Sequence, residues 1–222
     1  MRCDIEGVAF DLDGTLYPNY RFYVRLLPFV LKEQRLLRAM GKARDRLRKI
    51  LAEGGFYECQ ARIIADILKT DPASVHERLE RLVYRGWEPI FREIKLYPHV
   101  KETLCALREG GFKLGILSDF PPELKLKNLG LGGLWDTVLC SEDVGRLKPD
   151  AAPFLALAET MGIKPERLLY VGNSVSYDII GAKQVGMKAA LVTSPLRKRR
   201  RRNGNADIIF SDYRQLRDYV LR

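Results

Sequence analysis

Residues 8–16, reading Val8, Ala9, Phe10, Asp11, Leu12, Asp13, Gly14, Thr15 and Leu16, constrain the fold more than any other stretch of the chain. Three apolar residues ending in a carboxylate have the pattern of a strand buried on both faces, as in a parallel sheet. Open α/β sheets gather their ligands at the carboxyl ends of such strands, so Asp11 is expected at the edge where chemistry occurs. Asp13 follows two residues later. Gly14 allows a tight turn, and its N–H, with that of Thr15, is expected to approach an anion closely. A pair of solvated turn carboxylates is the plainer reading of the Asp-x-Asp pattern taken alone.

The rest of the chain narrows the choice. For about eighty residues after Leu16 the hydrophobic period is helical, with helices expected over Tyr20–Ile50, Phe56–Leu68 and from Asp71-Pro72 through Val83. Pro28 and Gly41 are expected to bend or break the first of these. From Pro98 the pattern alternates between helix and strand. Strands are expected at Phe112–Leu117, Thr137–Cys140, Leu168–Val171, Lys188–Val192 and Ile208–Phe210. Residues 1–16 and 97–222 therefore form a three-layer, Rossmann-like α/β core with a parallel sheet, interrupted by an all-helical insertion at 17–96.

Hydrophobic runs also end in Ser118, in the turn Lys148-Pro149-Asp150 and in the segment Gly172-Asn173-Ser174-Val175-Ser176-Tyr177-Asp178. With the Asp-x-Asp-Gly-Thr stretch, these four motifs, in this order, resemble the haloacid dehalogenase-like (HAD) hydrolase superfamily, of the C1-cap, phosphoglycolate phosphatase-like type. The resemblance implies a phosphatase acting on a small phosphomonoester through an aspartyl-phosphate. Asp11 would be the nucleophile, and Asp13 would protonate the departing alcohol and then deprotonate the attacking water. Ser118 and the backbone N–H of Asp119 would bind a phosphoryl oxygen, with Gly14 and Thr15 beside them, and Lys148 would neutralise charge. Magnesium is the implied cofactor, held by Asp11, the carbonyl of Asp13, Asn173 and Asp178. Asn173 departs from the family pattern, in which an aspartate follows the glycine, so a raised magnesium requirement is expected.

The helical insertion would act as a lid over a small phosphorylated metabolite. Tyr17, Tyr20 and Arg21, nearest its hinge, are the candidate substrate contacts, although packing against the core is the plainer role for each. Arg35, Arg38, Lys42, Arg44, Arg46, Arg48 and Lys49 make the first lid helix basic, either as a solvated face or to suit acidic substrates. Two rival readings stay open. One is a 2-haloacid dehalogenase-type hydrolase, opposed by Asp13, because HAD members that dehalogenate lack an aspartate there. The other is a nucleic-acid or partner-binding module on this scaffold.

That second rival rests on Arg197-Lys198-Arg199-Arg200-Arg201-Arg202, which supplies six of the ten net positive charges and leaves +4 elsewhere. The run is expected to leave the same sheet edge as Asp11, from a strand two places away, as a mobile basic loop, a steering element for anions or a nucleic-acid contact. Cys3, Cys59, Cys105 and Cys140 have no metal-ligand spacing and read as buried thiols in a reducing compartment. No signal peptide or bilayer-length apolar run is visible, so a cytoplasmic protein without membrane insertion is expected.

Overall fold

A computed structural model describes residues 4–52, 54–193 and 204–222. Six parallel strands form one sheet in the order β3-β2-β1-β4-β5-β6: β1 (Gly7–Phe10), β2 (Lys113–Ser118), β3 (Thr137–Cys140), β4 (Leu168–Gly172), β5 (Lys188–Val192) and β6 (Ile208–Phe210). The first strand lies in the interior of the sheet because its four residues are all buried and none demands solvent on either face. Alternate residues serve opposite layers, as the two-residue period of a strand requires. Val8 and Phe10 pack with Leu104, Leu107 and Leu216, which belong to α4 (Val100–Glu109) and α8 (Tyr213–Val220). Ala9 faces Phe154, Leu157 and Ala182 of α6 (Ala151–Met161) and α7 (Ile180–Gln184) on the other side.

Between β1 and α4 the chain is helical. It runs through α1 (Asn19–Leu47), α2 (Phe56–Leu68), α3 (Pro72–Leu79), a π-helical turn at Glu80–Tyr84 and a 3₁₀ turn at Glu88–Glu93. These elements have a third apolar cluster of their own, built from Leu36, Ala43, Leu47, Ile64, Val75 and Leu79. Asp71 caps α3 by accepting the Ser74 N–H at 2.8 Å, with Pro72 at the first helical position. Gly41 breaks nothing, and α1 departs from helical geometry only at Glu33, five residues after Pro28. The third helix ends at Leu79, where the backbone widens to π geometry, so its expected continuation through Val83 is not α-helical.

Register decides what meets at the sheet edge. Phe10 lies level with Ile116 of β2 and with Val171 of β4. The next residues therefore bring Asp11, the end of β2 at Ser118 and the Gly172-Asn173 turn together at the carboxyl edge of three adjacent strands. Strand β5 lies two places from β1 as expected, but the basic run 197–202 lies outside the described residues, as do Cys3 and Asn203. Among the described residues Cys59, Cys105 and Cys140 are free thiols, and no helix is long and apolar enough to cross a membrane.

Candidate active site

Asp11 follows β1 directly, and its N–H is fixed by the Val171 carbonyl at 2.9 Å. Its two carboxylate oxygens have different partners. Oδ1 accepts from Lys148 Nζ and Oδ2 from the Thr15 hydroxyl, each at 2.7 Å. Lys148 is buried and also reaches Asp178 Oδ1 at 2.7 Å and the Tyr170 hydroxyl at 3.2 Å. One ammonium thus bridges two buried carboxylates. Burial pushes the Asp11 carboxyl up to about 7 and Asp178 adds to this, while Lys148 pulls the other way. Burial alone would lower the lysine, but Asp11 and Asp178 hold it well above its ordinary range.

The motif loop is built on Gly14, whose φ of +87° is open to glycine at little cost. A Cβ there would come within 2.1 Å of the Asn173 amide nitrogen, so the first and last motifs pack directly on one another. Thr15 does not present its N–H to a ligand as expected. That group donates to the Leu12 carbonyl at 3.2 Å because the chain turns immediately after β1. Asp13 lies within this turn; its Oδ1 accepts from the Tyr17 hydroxyl, and its Oδ2 accepts from Lys125 Nζ at 2.7 Å.

The other motifs arrive from neighbouring strands. Ser118 is fully buried and its hydroxyl oxygen accepts the Phe120 N–H at 3.2 Å, closing the turn after β2. Asp119 uses both side-chain oxygens, one for Arg48 at 2.7 Å and one for the Lys148 N–H at 3.2 Å. Burial raises the Asp119 carboxyl, but Lys148, Arg48 and Arg44 together outweigh this and hold it below the ordinary range. Asp178 accepts the N–H groups of Asn173 and Ser174 on Oδ2, at 3.1 and 2.9 Å, and thereby shapes the loop after β4.

These groups surround a cleft of about 330 Å³ whose walls include Asp11, Asp13, Asp119, Lys148, Asn173 and Asp178. Four carboxylates and two cations, Lys148 and Arg48, line it. Such a balance repels a phosphate ester unless further positive charge is present, and hard oxygen donors suit magnesium. Among the described residues no three Asp, Glu, His or Cys side chains converge as a metal group. A cation here would therefore depend on the Asn173 amide oxygen and a backbone carbonyl as well as on Asp11. With Oδ2 of Asp178 filled by two N–H groups, that residue has a single oxygen left to share between Lys148 and a metal.

Of the candidate substrate contacts, Tyr17 is buried against Phe91 and bound to Asp13, while Tyr20 and Arg21 lie off the cleft wall. Asn19 and Tyr23 of the same helix line it instead, one turn or less away, a helical phase that motif reading does not resolve. The basic face of α1 is not uniformly solvated either. Arg44 is buried in an ion pair with Glu142, donates to the Asp119 carbonyl at 2.6 Å and lies 3.9 Å above the Phe120 ring. Arg48 reaches Asp119, the Lys148 carbonyl and, at 4.2 Å, the ring of Tyr177. Both belong to the last turn or cap of α1, where the helix end meets the core loops. Lys125 and Tyr170 also escaped the sequence reading, because a lysine on a short helix and a tyrosine in an apolar strand carry no motif.

The chain is 29% identical to the glyceraldehyde 3-phosphate phosphatase of Methanothermobacter thermautotrophicus, over 97% of this chain and all of that protein. It is 31% identical to the phosphoglycolate phosphatase of Escherichia coli, over 86% and 82% of the two chains. The crystal structure of a 2-haloacid dehalogenase from Pseudomonas syringae superposes with a TM-score of 0.68 at 25% identity, covering 98% of each chain. The haloacid dehalogenase-like hydrolase profile matches residues 5–186, and the chain belongs to that family of hydrolases.

Proposed function

We propose that the protein hydrolyses a small phosphomonoester, with Asp11 as nucleophile and Asp13 as the proton-transfer group. The observation that carries this reading is that Asp13 and Asp11 line the same cleft. In the first half-reaction an Asp11 carboxylate oxygen bonds to phosphorus as the ester P–O bond breaks, and the leaving oxygen takes a proton from Asp13. Lys125 must give up Asp13 Oδ2 for that oxygen to serve. In the second, water attacks the aspartyl-phosphate, Asp13 accepts the water proton, and inorganic phosphate departs. The net change is ester plus water to alcohol plus phosphate.

Lys148 keeps Asp11 in position and neutralises part of its charge, and Asp178 holds Lys148 and the Asn173 loop. Asp11, the Asp13 carbonyl and Asn173 would hold magnesium, with Asp178 contributing its remaining oxygen. That ion would supply positive charge to the transferring phosphoryl group. The helices of residues 17–96 act as a lid that excludes water, closed by Arg44 and Arg48. The phosphatase names of the two curated relatives support the reaction class.

The dehalogenase resemblance supports a second reading, in which a carboxylate displaces halide without acid assistance. Asp13 decides between them. Phosphate release from a panel of phosphomonoesters with and without magnesium, beside 2-chloropropionate dehalogenation, tests the choice. Asp13→Asn should cut phosphate release by about 10²–10⁴-fold, and Asp11→Asn should abolish it. Halide release untouched by Asp13→Asn, with no phosphate release from the wild type, would overturn the proposal.

A further inference from the structure

Helix α1 carries more apolar surface than its packing uses. On one face Phe22 stacks on Phe91 at 5.3 Å between ring centres, Phe29 meets Trp87 edge-on at 6.1 Å, and Leu26 is buried. A surface helix needs one such stripe, and α1 has a second. Tyr20, Tyr23, Val24, Leu27 and Leu31 are 54–66% exposed. Of the twelve large apolar side chains exposed among the described residues, these five lie within about three turns of one helix, so they form a patch rather than a scatter. Steps of four, three and four residues put Tyr20, Val24, Leu27 and Leu31 on one line along the helix. Tyr23 flanks that line on the side of the Asp11 cleft, whose wall it also forms.

The charges beside this stripe are of one sign. Lys32, Arg35, Arg38 and Lys42 are exposed, and none has a carboxylate partner among the described residues. Between Asn19 and Arg44 the helix exposes no acid. Glu33 is half-buried against Arg78 at 2.8 Å, and the rim residue Arg25 is paired with Glu93 at 3.1 Å. Next to Leu31, between α1 and the end of α2, lies a hollow of about 540 Å³ walled by Lys32, Arg35, Arg78 and Thr70 together with Glu33. Three cations against one acid make it a seat for an anion, opening beside the apolar line. Charge and apolarity together select what covers this face. A second copy of the chain brings the same surface and hence no carboxylate for these cations. A nucleic acid brings charge but leaves five apolar side chains in water. An anionic bilayer supplies both, with headgroup charge for the cations, an acyl boundary for the aliphatic side chains and a level between them for tyrosine rings.

We propose that this face of α1 seats the protein on anionic lipid surfaces, with Val24, Leu27 and Leu31 at the acyl boundary and Lys32, Arg35, Arg38 and Lys42 among the headgroups. The helix lies along the surface and does not cross it, since no helix among the described residues is long and apolar enough to span a bilayer. Tyr23 belongs to both the patch and the cleft wall, so docking sets the mouth of the Asp11 cleft beside the lipid. This docking is independent of the hydrolytic chemistry.

The test is co-sedimentation of the full chain with vesicles of phosphatidylcholine, alone or mixed with phosphatidylserine. The basic run 197–202 would itself attract an anionic surface, so each measurement is repeated with those six residues changed to serine. In both backgrounds the chain should bind the mixed vesicles and not the neutral ones, and less tightly as salt rises. Val24→Ser/Leu27→Ser/Leu31→Ser should weaken binding by at least about tenfold, with an unchanged urea midpoint because all three side chains are exposed. Lys32→Gln/Arg35→Gln/Arg38→Gln should weaken it by roughly fivefold per residue. Leu27→Trp should shift its emission to the blue on mixed vesicles and be quenched by brominated acyl chains. Binding by the triple serine variant equal to wild type, or Leu27→Trp emission unmoved on bound vesicles, would overturn the proposal, as would equal binding to neutral vesicles. A dimer abolished by the triple serine variant, with no vesicle binding by the wild type, would give the stripe to a second copy and overturn it as well.

Discussion

Replacing Lys148 with methionine keeps the length of the side chain and removes its charge. In the wild type that ammonium is 3% exposed and sits 2.7 Å from a carboxylate oxygen of both Asp11 and Asp178. Without it, two buried acids face each other with the Thr15 hydroxyl and two backbone N–H groups as their remaining donors in the loop. Breaking a buried pair by removing one partner costs about 3–5 kcal/mol. For a chain of this size each kcal/mol lowers Tm by about 2–4 °C, so a fall of about 6–20 °C is expected. Urea denaturation of Lys148→Met in buffer free of divalent ions reads the stability, and phosphate release reads the activity, expected to fall by on the order of 10²–10³. Adding Asp178→Asn should recover part of the lost stability, since one of the two stranded charges is then gone. A loss below about 1 kcal/mol would refute the argument, as that is the range of an exposed ion pair.

Asp119→Asn should make the protein about 1.5–3 kcal/mol less stable at pH 7, the worth of hydrogen bonds to a charged group. Because the folded protein holds the Asp119 carboxyl below its unfolded value, this contribution is complete above about pH 4 and disappears as pH falls through the folded-state value, so wild type and variant should converge in acid-limb denaturation curves. Gly14→Ala should cost at least about 1–2 kcal/mol from the positive φ alone, and the new Cβ should displace Asn173, which phosphate release at limiting magnesium would detect as a raised requirement. Asn173→Asp should lower the half-saturating magnesium concentration by about tenfold or more, seen both in turnover and in the Tm gained on adding the ion.

The legible parts of this molecule were those in which one residue type serves one backbone need. An apolar run ending in Asp11 had to be an interior strand, and the runs ending at Ser118 and Gly172 are the strands on either side of it. What stayed hidden depended on distances in sequence that no local pattern carries. Arg44 and Glu142 are 98 residues apart and Lys125 and Asp13 are 112 apart, so nothing near an arginine on an amphipathic helix distinguishes burial from solvation. Tyr20 and Arg21 differ from the cleft-lining Asn19 and Tyr23 by helical phase. Starting α1 at Asn19 turns Asn19 and Tyr23 toward the cleft and leaves Tyr20 62% exposed. Thr15 illustrates a third limit: its N–H was free in the motif but is consumed by a turn to Leu12 that only the folded backbone defines.

The two arginines at the end of α1 tie the helical layer to the chemistry more closely than a lid joined at a hinge requires. Arg48 holds Asp119, and Asp119 in turn accepts the backbone N–H of Lys148, the residue that positions Asp11. Arg48 also donates to the Lys148 carbonyl, so both peptide groups flanking that side chain are fixed from the lid or from a residue the lid holds. Lifting α1 therefore releases the backbone of Lys148 as well as opening the cleft. Arg44 makes the same motion costly, since it breaks the buried ion pair with Glu142. On the proposed lid function, closure of the helices and alignment of Lys148 on Asp11 form one equilibrium, and a substrate that holds the lid shut also completes the site.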